Sequence, residues 1–482
     1  MKSLTIFLFS IFVVFAFSEP LFSSDKNEGT KSKITARIEA KRPEYARISR
    51  EIWEFAEVGY LEEKSSLLLQ KTLEEEGFFI ESEVAGIPTA FVASYGEGRP
   101  VVGILAEYDA LPGMSQDAVA ERKVLIENGP GHGCGHNLFG TGSVAAAIAV
   151  KEWLAESRKS GTIRLYGTPA EEGGSGKVYM VRAGLFGDVD VVLHWHPGDK
   201  NDASAHTTRA NRSAKFRFYG VSSHAAGAPE RGRSALDGVE AMNYMVNLLR
   251  EHVSTDASIH YVITNGGLAP NVVPGFAEVF YYIRHYEVAG LEDVWERVVK
   301  AAEGAAKGTG TRVEYEVIHG NYNVLANEAL SKLVYENLRF TGGVKYSVQE
   351  RVFAEAISKT LGENSKPLEA VEKIEPYEFR KNKGSTDVGD VSWVVPTAGL
   401  CTATWVPGTA AHTWQVVAVG GMSIGVKGMM VASKTMALTA VDIFMEPAKL
   451  EEIKKEFKKK RGADFKYRAL LGDRKPPLDY RK

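Results

Sequence analysis

Three strand-like segments of the sequence each end in residues that can bind a metal ion, and this feature constrains the fold more than any other. The clearest segment is the continuously apolar run 101–106, which is followed by Glu107 and Asp109. An uninterrupted apolar run is typical of a strand that is covered on both faces, as in the parallel sheet of an α/β protein. The sequence therefore predicts an α/β fold with carboxylates at the carboxyl end of a buried strand.

A glycine-rich loop between this strand and a predicted helix carries a thiol and an imidazole. Cys134 and His136 are separated by one glycine, and glycines also stand at positions 131 and 133. Glycine lets the backbone bend tightly, and cysteine and histidine two residues apart can both turn toward one metal ion. A glycine-rich entry to the helix with an incidental thiol is the alternative for this segment taken alone.

The second strand, residues 162–167, leads into the adjacent carboxylates Glu171 and Glu172, which are followed by two glycines. Adjacent side chains on an extended or turning backbone point in different directions. One carboxylate can therefore bind a metal ion while the other accepts a proton from water, which is the division of roles in metal-assisted hydrolysis. A solvent-facing acidic turn is the alternative.

The third strand, residues 189–193, is followed by His194 and His196, which share one face because strand side chains alternate. We expect one of them to bind the metal and the other to lie behind it, and the sequence does not choose between them. His412, in a loop of small residues before a long predicted helix, is uninformative by itself. A set of thiolate, imidazole and carboxylate ligands favours Zn, Mn, Co or Ni over Mg or Ca.

Length and charge exclude several classes of protein. The chain has 482 residues, enough for two or three hydrophobic cores. Its 58 Lys and Arg against 61 Asp and Glu give a net charge of −3, which provides no general attraction for nucleic acids. With 2 cysteines the chain is not a disulfide scaffold. We expect Cys134 to be a metal ligand and Cys401 to be a small buried hydrophobic residue.

Both ends of the chain carry their own signals. Residues 1–18 predict an export signal, in which Lys2 precedes an apolar run too short to span a bilayer comfortably. We therefore expect a periplasmic or extracellular protein whose mature chain has no stable membrane span. Residues 449–482 hold 13 Lys and Arg against 6 Asp and Glu, and this basic tail is predicted to be a solvated helix end followed by an extended segment.

The region 207–321 differs in character from the rest of the sequence. Its predicted elements follow the order β-α-β-β-α-β, which is typical of a ferredoxin-like unit, and Ser234 is placed to cap the first of its helices. The predicted organisation is a main α/β domain formed by residues 25–206 and 322–448, interrupted by this α+β domain.

These blocks, in this order, resemble the M20 metallopeptidases, in particular the amidohydrolase branch that includes hippurate and auxin-conjugate hydrolases. The resemblance extends from about residue 34 to about residue 445. The motifs that carry it are Asp109-Ala110-Leu111-Pro112, Cys134-Gly135-His136, Glu171-Glu172, Trp195-His196-Pro197, Ser223-His224-Ala225-Ala226, Asn271-Val272-Val273-Pro274 and His412. The resemblance implies a Zn-peptidase-like catalytic domain whose ferredoxin-like insert serves as a lid and dimerisation domain.

The resemblance also implies a role for each matched residue. The metal ligands would be Cys134, His136, Glu172, His412 and a strand-end histidine, for which His196 is preferred to His194. Glu171 would be the general base, and Asp109 and His224 would complete the catalytic set, with His224 often acting in the site of a partner subunit. Asn271 and Arg284 would hold the substrate. Two divalent ions, Zn or Mn, are implied by the same analogy.

The resemblance implies hydrolysis of the amide bond of a small N-acyl amino acid, with an aminobenzoyl-glutamate-type conjugate as the favoured substrate. Lys177 is a further candidate for binding the acid group of that substrate. A dipeptidase, another N-acyl-amino-acid hydrolase and a catalytically silent binding protein are the alternatives. The expected assembly is a homodimer, or a heterodimer with a related subunit, without a nucleic acid partner.

Overall fold

A computed structural model describes residues 22–481, so the predicted export signal at residues 1–18 lies outside the described residues and stays a prediction. The helices are α1 (Phe22–Ala40), α2 (Arg42–Phe55), α3 (Glu63–Glu75), α4 (His136–Ser157), α5 (Gly176–Arg182), α6 (Ala235–Leu249), α7 (Val288–Thr309), α8 (Glu328–Thr341), α9 (Val348–Lys359), α10 (Val388–Val394), α11 (Trp414–Gly420), α12 (Ser423–Met445) and α13 (Pro447–Arg461). The strands are β1 (Phe79–Ser82), β2 (Phe91–Glu97), β3 (Val101–Ala106), β4 (Gly161–Gly167), β5 (Val191–Gly198), β6 (His206–Thr207), β7 (Ala210–Tyr219), β8 (Ser258–Asn265), β9 (Phe276–His285), β10 (Arg312–Asn321), β11 (Arg380–Lys381) and β12 (Thr397–Ala403).

The main sheet has six strands in the order β1-β2-β4-β3-β5-β12. Strands β4, β3, β5 and β12 are parallel to one another, whereas β2 and β1 run antiparallel at one side. The carboxyl ends of β3, β4 and β5 consequently meet at one edge of the sheet, which is where ligand sites of such sheets form. The predicted α/β architecture is confirmed.

Helices cover both faces of this sheet, as the apolar run of β3 requires. Ile104 belongs to a large core with α4, α8 and α12, whereas its neighbour Leu105 belongs to a second core with α5 and α10. Within residues 22–481, α4 and α12 are long and apolar enough to cross a membrane, but 83% and 89% of their most apolar windows are buried. Burial of this extent against a sheet is typical of the core helices of a folded domain.

The insert forms a four-stranded antiparallel sheet in the order β10-β7-β9-β8, with α6 and α7 packed on one face. Its elements follow one another as β7-α6-β8-β9-α7-β10, which confirms the predicted ferredoxin-like order. Ser234 caps α6 by accepting a hydrogen bond of 3.1 Å from the backbone N–H of Asp237, as the sequence predicts. We call this unit the lid.

The chain after α13, residues 462–481, crosses both domains, and we call it the C-terminal segment. The prediction of a solvated tail is wrong for this part, because Leu470 and Leu471 are each 3% exposed and pack over Gly320 of β10. Tyr467 also donates a hydrogen bond of 2.7 Å to the buried carboxylate of Asp390. The sequence prediction rested on the many charged residues of the tail. The few apolar side chains of the segment instead determine where it lies.

Candidate metal centre

The functional side chains predicted from the sequence converge at the carboxyl edge of the main sheet. Glu107 and Asp109 follow β3, Glu171 and Glu172 follow β4, and His196 lies near the end of β5. Cys134 and His136 lie at the amino terminus of α4. Because these strands are parallel and adjacent, residues as far apart in sequence as 107 and 196 reach one cavity of about 530 Å³.

The backbone of the Cys134 loop depends on glycine at position 135. Gly135 has a φ of 80°, and a Cβ there would lie 2.9 Å from the Pro197 side chain. An L-residue would therefore be strained in backbone conformation and also crowd the end of β5. The backbone N–H of His412 donates to the Gly133 carbonyl at 2.8 Å, so the same loop also holds the loop that carries His412.

Two groups of potential ligand atoms share the thiol of Cys134. The first is Cys134, His136 and His196, and the second is Cys134, Glu172 and His412; within each group all ligand atoms lie within 4.8 Å of one another. Cys134 Sγ is 3.4 Å from His196 Nε2, and His412 Nε2 is 3.2 Å from Glu172 Oε1. Each group could hold one ion, with Cys134 common to both, and the N, O and S donors are of the kind that Zn accepts.

Two buried ligand atoms lie close to other polar atoms but lack a well-aligned hydrogen bond, which fits a cation site. His136 Nε2 is 3.2 Å from Glu107 Oε2, and Glu172 Oε1 is 3.2 Å from His412 Nε2. The other imidazole nitrogen, His136 Nδ1, is 2.9 Å from Asp109 Oδ1, while Asp109 Oδ2 accepts from the Glu172 backbone N–H at 2.8 Å. A carboxylate on the second nitrogen of a histidine fixes the ring so that the first faces a metal. Asp109 thus orients members of both groups.

The electrostatics of the ligands are compatible with a cation. Burial, and then the nearby Glu172 carboxylate, raises the pKa of the Cys134 thiol. Burial lowers the pKa of His196 to about 4, which keeps the imidazole neutral at neutral pH. Burial acts against protonation of His136, but Cys134 and Asp109 raise its pKa well above the usual value. A metal ion at this position would replace the proton that these buried groups otherwise share.

Glu171 lies beside the two groups rather than in them. It forms a further candidate group with Glu107 and His136, and it lines the cavity. Burial, and then repulsion from Glu107 and Glu172, raises the pKa of the Glu171 carboxyl well above its usual value. A carboxyl group with a raised pKa next to a metal site is suited to accepting a proton and returning it.

Lys177 is not available to a substrate, which corrects the prediction that it binds an acid group. Its side chain is fully buried, and Nζ lies 2.7 Å from both Glu107 Oε1 and Asp387 Oδ1. Burial alone would lower the pKa of Lys177, but Asp387 and then Glu107 raise it. The ammonium group therefore balances two carboxylates beneath the site. The pairing with Asp387 could not be read from the sequence because 210 residues separate the partners.

The turn that carries Glu171 and Glu172 is held from several sides. Ala170 adopts a φ of 57°, a left-handed conformation that costs free energy for a residue with a Cβ. Its N–H donates to Glu62 Oε1 at 2.8 Å. The Glu172 carbonyl accepts from Tyr480 Oη at 3.1 Å and from Arg481 Nη2 at 2.7 Å, so the C-terminal segment ends at the site. The sequence does not predict these contacts, because no local pattern links the turn to Glu62, Tyr480 or Arg481.

The remaining predicted residues lie outside the two groups. His194 is buried in β5 with its ring against Gly399, and burial lowers its pKa to about 3.

His224 and Asn271 lie in neighbouring exposed loops of the lid, joined by the hydrogen bond from the Ala225 N–H to the Asn271 carbonyl. Arg284 is in β9, half-buried over the ring of Tyr282. These three lid residues do not line the described cavity. Cys401, predicted to be buried, is half-buried and lines the cavity without a disulfide to Cys134.

The fold and this cluster define the class of protein, a metal-dependent hydrolase with an α/β catalytic domain. A family model described as Peptidase family M20/M25/M40 matches residues 103–361. The chain is 43% identical over 450 residues to one of the subunits of p-aminobenzoyl-glutamate hydrolase of Escherichia coli (strain K12), covering 88% of this chain and 94% of that one. It is 31% identical over 451 residues to the Xaa-Arg dipeptidase of Mus musculus, covering 90% and 94%.

A solved structure has the same fold. The dinuclear metal-binding M20 peptidase of Bacillus subtilis superposes with a TM-score of 0.56 at 18% identity, covering 84% of this chain and 99% of that one. The chain belongs to peptidase family M20/M25/M40, as the sequence motifs predict, and is a hydrolase of amide bonds.

Proposed function

We propose that this protein hydrolyses the amide bond of an N-acyl amino acid of the aminobenzoyl-glutamate type. The observation that carries the proposal is the pair of ligand groups sharing Cys134, with Glu171 free beside them in a cavity of about 530 Å³. The similarity to a p-aminobenzoyl-glutamate hydrolase chain over 88% of this chain supports the substrate class.

The proposed reaction assigns one role to each side chain at the site. Cys134, His136 and His196 would hold one ion, Cys134, Glu172 and His412 would hold the other, and Asp109 would keep His136 and Glu172 in place. The bound ions supply Lewis acidity, for which the donor set favours Zn or Mn. Glu171 accepts the proton of the attacking water and returns it to the nitrogen of the departing amine, which then leaves as a neutral group.

The wall of the cavity away from the ligands favours an acidic substrate over a basic one. It carries Lys200, His206 and Arg380, and its one carboxylate among the described lining residues is Asp202. Asp202 Oδ2 is 3.0 Å from Lys200 Nζ and 3.2 Å from Arg380 Nε, so it is already paired. Arg380 also reaches two carboxylates outside the cavity, Glu378 at 3.0 Å and Glu375 at 3.8 Å. A substrate arginine would find no unpaired carboxylate on this wall, whereas a substrate carboxylate could accept from the N–H donors of Lys200 and Arg380 that their ion pairs do not use.

Matched substrates test this preference directly. We expect the metal-loaded protein to cleave aminobenzoyl-glutamate with a kcat/KM at least about tenfold above that for aminobenzoyl-arginine, a difference of about 1.4 kcal/mol. Arg380→Gln should reduce the difference, because it removes one donor from the wall. Cleavage of Xaa-Arg dipeptides without cleavage of any aryl conjugate would instead indicate a dipeptidase.

We further propose that the lid completes the active site of another subunit, either a second copy or a related chain. His224 and Asn271 are exposed and do not line the cavity of their own chain, although their types suit binding of a carbonyl or a carboxylate. The relative with 43% identity is named as one subunit of its hydrolase, which fits an assembly of more than one chain.

Mixing two inactive variants tests this sharing of residues. If copies pair, Glu171→Gln and His224→Ala should each be inactive alone, and an equimolar mixture should regain up to about a quarter of wild-type activity, since half the dimers are mixed and each has one intact site. His260→Ala, an exposed histidine of β8, is the control and should stay active without mixing. Lack of recovery despite proven subunit exchange would contradict sharing between two copies, and full activity of His224→Ala alone would contradict the proposal for either partner.

A further inference from the structure

A second cavity, of about 560 Å³, lies where the lid meets the catalytic domain and the C-terminal segment. Its walls come from β7, β10 and α7 of the lid, from the end of α5, and from residues 467–473. It shares no lining residue with the cavity at the metal centre. Neither the proposed reaction nor the proposed lid contact uses this cavity.

Arg212 is the unusual residue of this cavity. It is 8% exposed and points to the core face of β7, on the same side of the strand as Ala214 and Phe216. Its guanidinium lies 5.0 Å from the centre of the Trp295 ring, and Nε is buried without a hydrogen bond.

Among residues 22–481 no carboxylate lies within ion-pair distance of Arg212. Burial lowers the pKa of Arg212 and the Glu292 carboxylate opposes this shift, but Glu292 is itself paired with Arg468 at 2.9 Å. A buried cation without a contacting anionic partner costs several kcal/mol, and the fully buried Lys177 has two carboxylate partners.

The described charged residues that line the cavity are three arginines and one aspartate. Arg182 and Arg468 also line the cavity, and the one lining carboxylate among the described residues, Asp473, is exposed. Arg182 Nη1 donates to the Gly472 carbonyl at 2.8 Å, and Arg468 Nη2 to Glu292 Oε1 at 2.9 Å, so each of these two has one partner from the protein. Arg212 is therefore the guanidinium whose donors are left for a ligand.

The walls also define the shape and polarity of a ligand. Trp295, Tyr315 and Tyr467 supply aromatic surface around the guanidinium groups. A guanidinium presents its N–H donors in a planar fork that matches the two oxygens of a carboxylate or of a phosphate. Aromatic side chains add favourable contact with a flat apolar group.

We propose that this cavity is a binding site for a small oxyanion, with Arg212 as its anchor and an aromatic carboxylate as the preferred form. The ligand supplies the negative charge that Arg212 lacks. It also joins the lid to the C-terminal segment, whose end, Arg481, contacts the Glu172 carbonyl. The inference does not rest on the proposed reaction, because it depends only on the charge, burial and shape of this second cavity.

Titration of the full-length protein with benzoate, acetate and inorganic phosphate, at constant ionic strength, tests the site by calorimetry. We expect saturable binding that is tightest for benzoate, because aromatic contact adds to the attraction of charge. Tighter binding of phosphate or acetate than of benzoate would overturn the aromatic preference. Arg212→Met should weaken binding at least about tenfold, equal to about 1.4 kcal/mol. The control, Arg297→Gln, changes an arginine of α7 that does not line the cavity and should bind as the wild type does.

The stability of Arg212→Met separates a ligand anchor from a structural arginine. Methionine fills similar space without a charge, so the variant without added anion should unfold at the same temperature as the wild type or at a higher one. Added benzoate should raise the unfolding temperature of the wild type alone. The proposal is overturned by a large loss of stability in Arg212→Met, by the lack of saturable binding of all three anions, or by binding that is unchanged in this variant, which would assign the anion to the metal centre.

Discussion

Replacing Glu171 by Gln is expected to lower kcat by about 100- to 10,000-fold, the contribution typical of a general base. Glutamine keeps the shape of the side chain but cannot accept a proton from water. Glu171 is outside both groups that share Cys134, so the variant should bind metal as the wild type does. Stability should be equal or higher, because the change removes repulsion from Glu107 and Glu172.

Measuring turnover together with metal content distinguishes the general base, Glu171, from the metal ligand beside it, Glu172. Glu172→Gln is the matched control: the residue is adjacent and of the same type, but it belongs to a ligand group, so its loss of activity should accompany loss of metal. A Glu171→Gln protein that retains activity within a few-fold, or that loses its metal, would show that Glu171 is not the base.

The second large effect is expected from Cys134→Ser, which should weaken the binding of both ions at once. Cys134 is common to the two groups, whereas His412 belongs to one. A structural Zn site is worth roughly 10–16 kcal/mol in all, so the loss of one of about four ligands should cost roughly 100-fold in affinity. His412→Ala, whose side chain is 53% exposed, should keep the ion held by Cys134, His136 and His196.

The number of metal ions bound per chain, measured after dialysis at a fixed free metal concentration, tests this expectation. The expected order is two ions per chain for the wild type, one for His412→Ala and near zero for Cys134→Ser. Retention of two ions by Cys134→Ser would show that the thiol is not shared between them. Circular dichroism of the three proteins should agree, because Cys134 and His412 lie in loops outside the two large cores.

The sequence predicts the part of the site that comes from strand ends. The apolar run of β3 and the polar residues after β3, β4 and β5 are local patterns, and parallel pairing of adjacent strands brings them together. The choice between His194 and His196 needs geometry. Both point to one face, but His196 lies two residues, about 7 Å, further along the strand, and it is His196 whose Nε2 is 3.4 Å from Cys134 Sγ.

Contacts between distant segments are the part that the sequence could not predict. His412 reaches the site through a backbone hydrogen bond to Gly133, and its φ of 61° reflects a loop conformation that packing imposes. The burial of Lys177 between Glu107 and Asp387 depends on two loops that no local pattern connects. The contact of Arg481 with the Glu172 carbonyl was equally unpredictable, because a basic tail does not indicate which acceptor its arginines bind.

Anomalous diffraction from crystals of the metal-loaded protein, recorded at the absorption edge of the bound metal, tests the central claim most directly. We expect two peaks, each about 2.3 Å from Cys134 Sγ if the metal is Zn, with His136 and His196 at one peak and Glu172 and His412 at the other. A single peak among Glu107, His136 and Glu171, or peaks away from Cys134, would contradict the shared-thiolate centre.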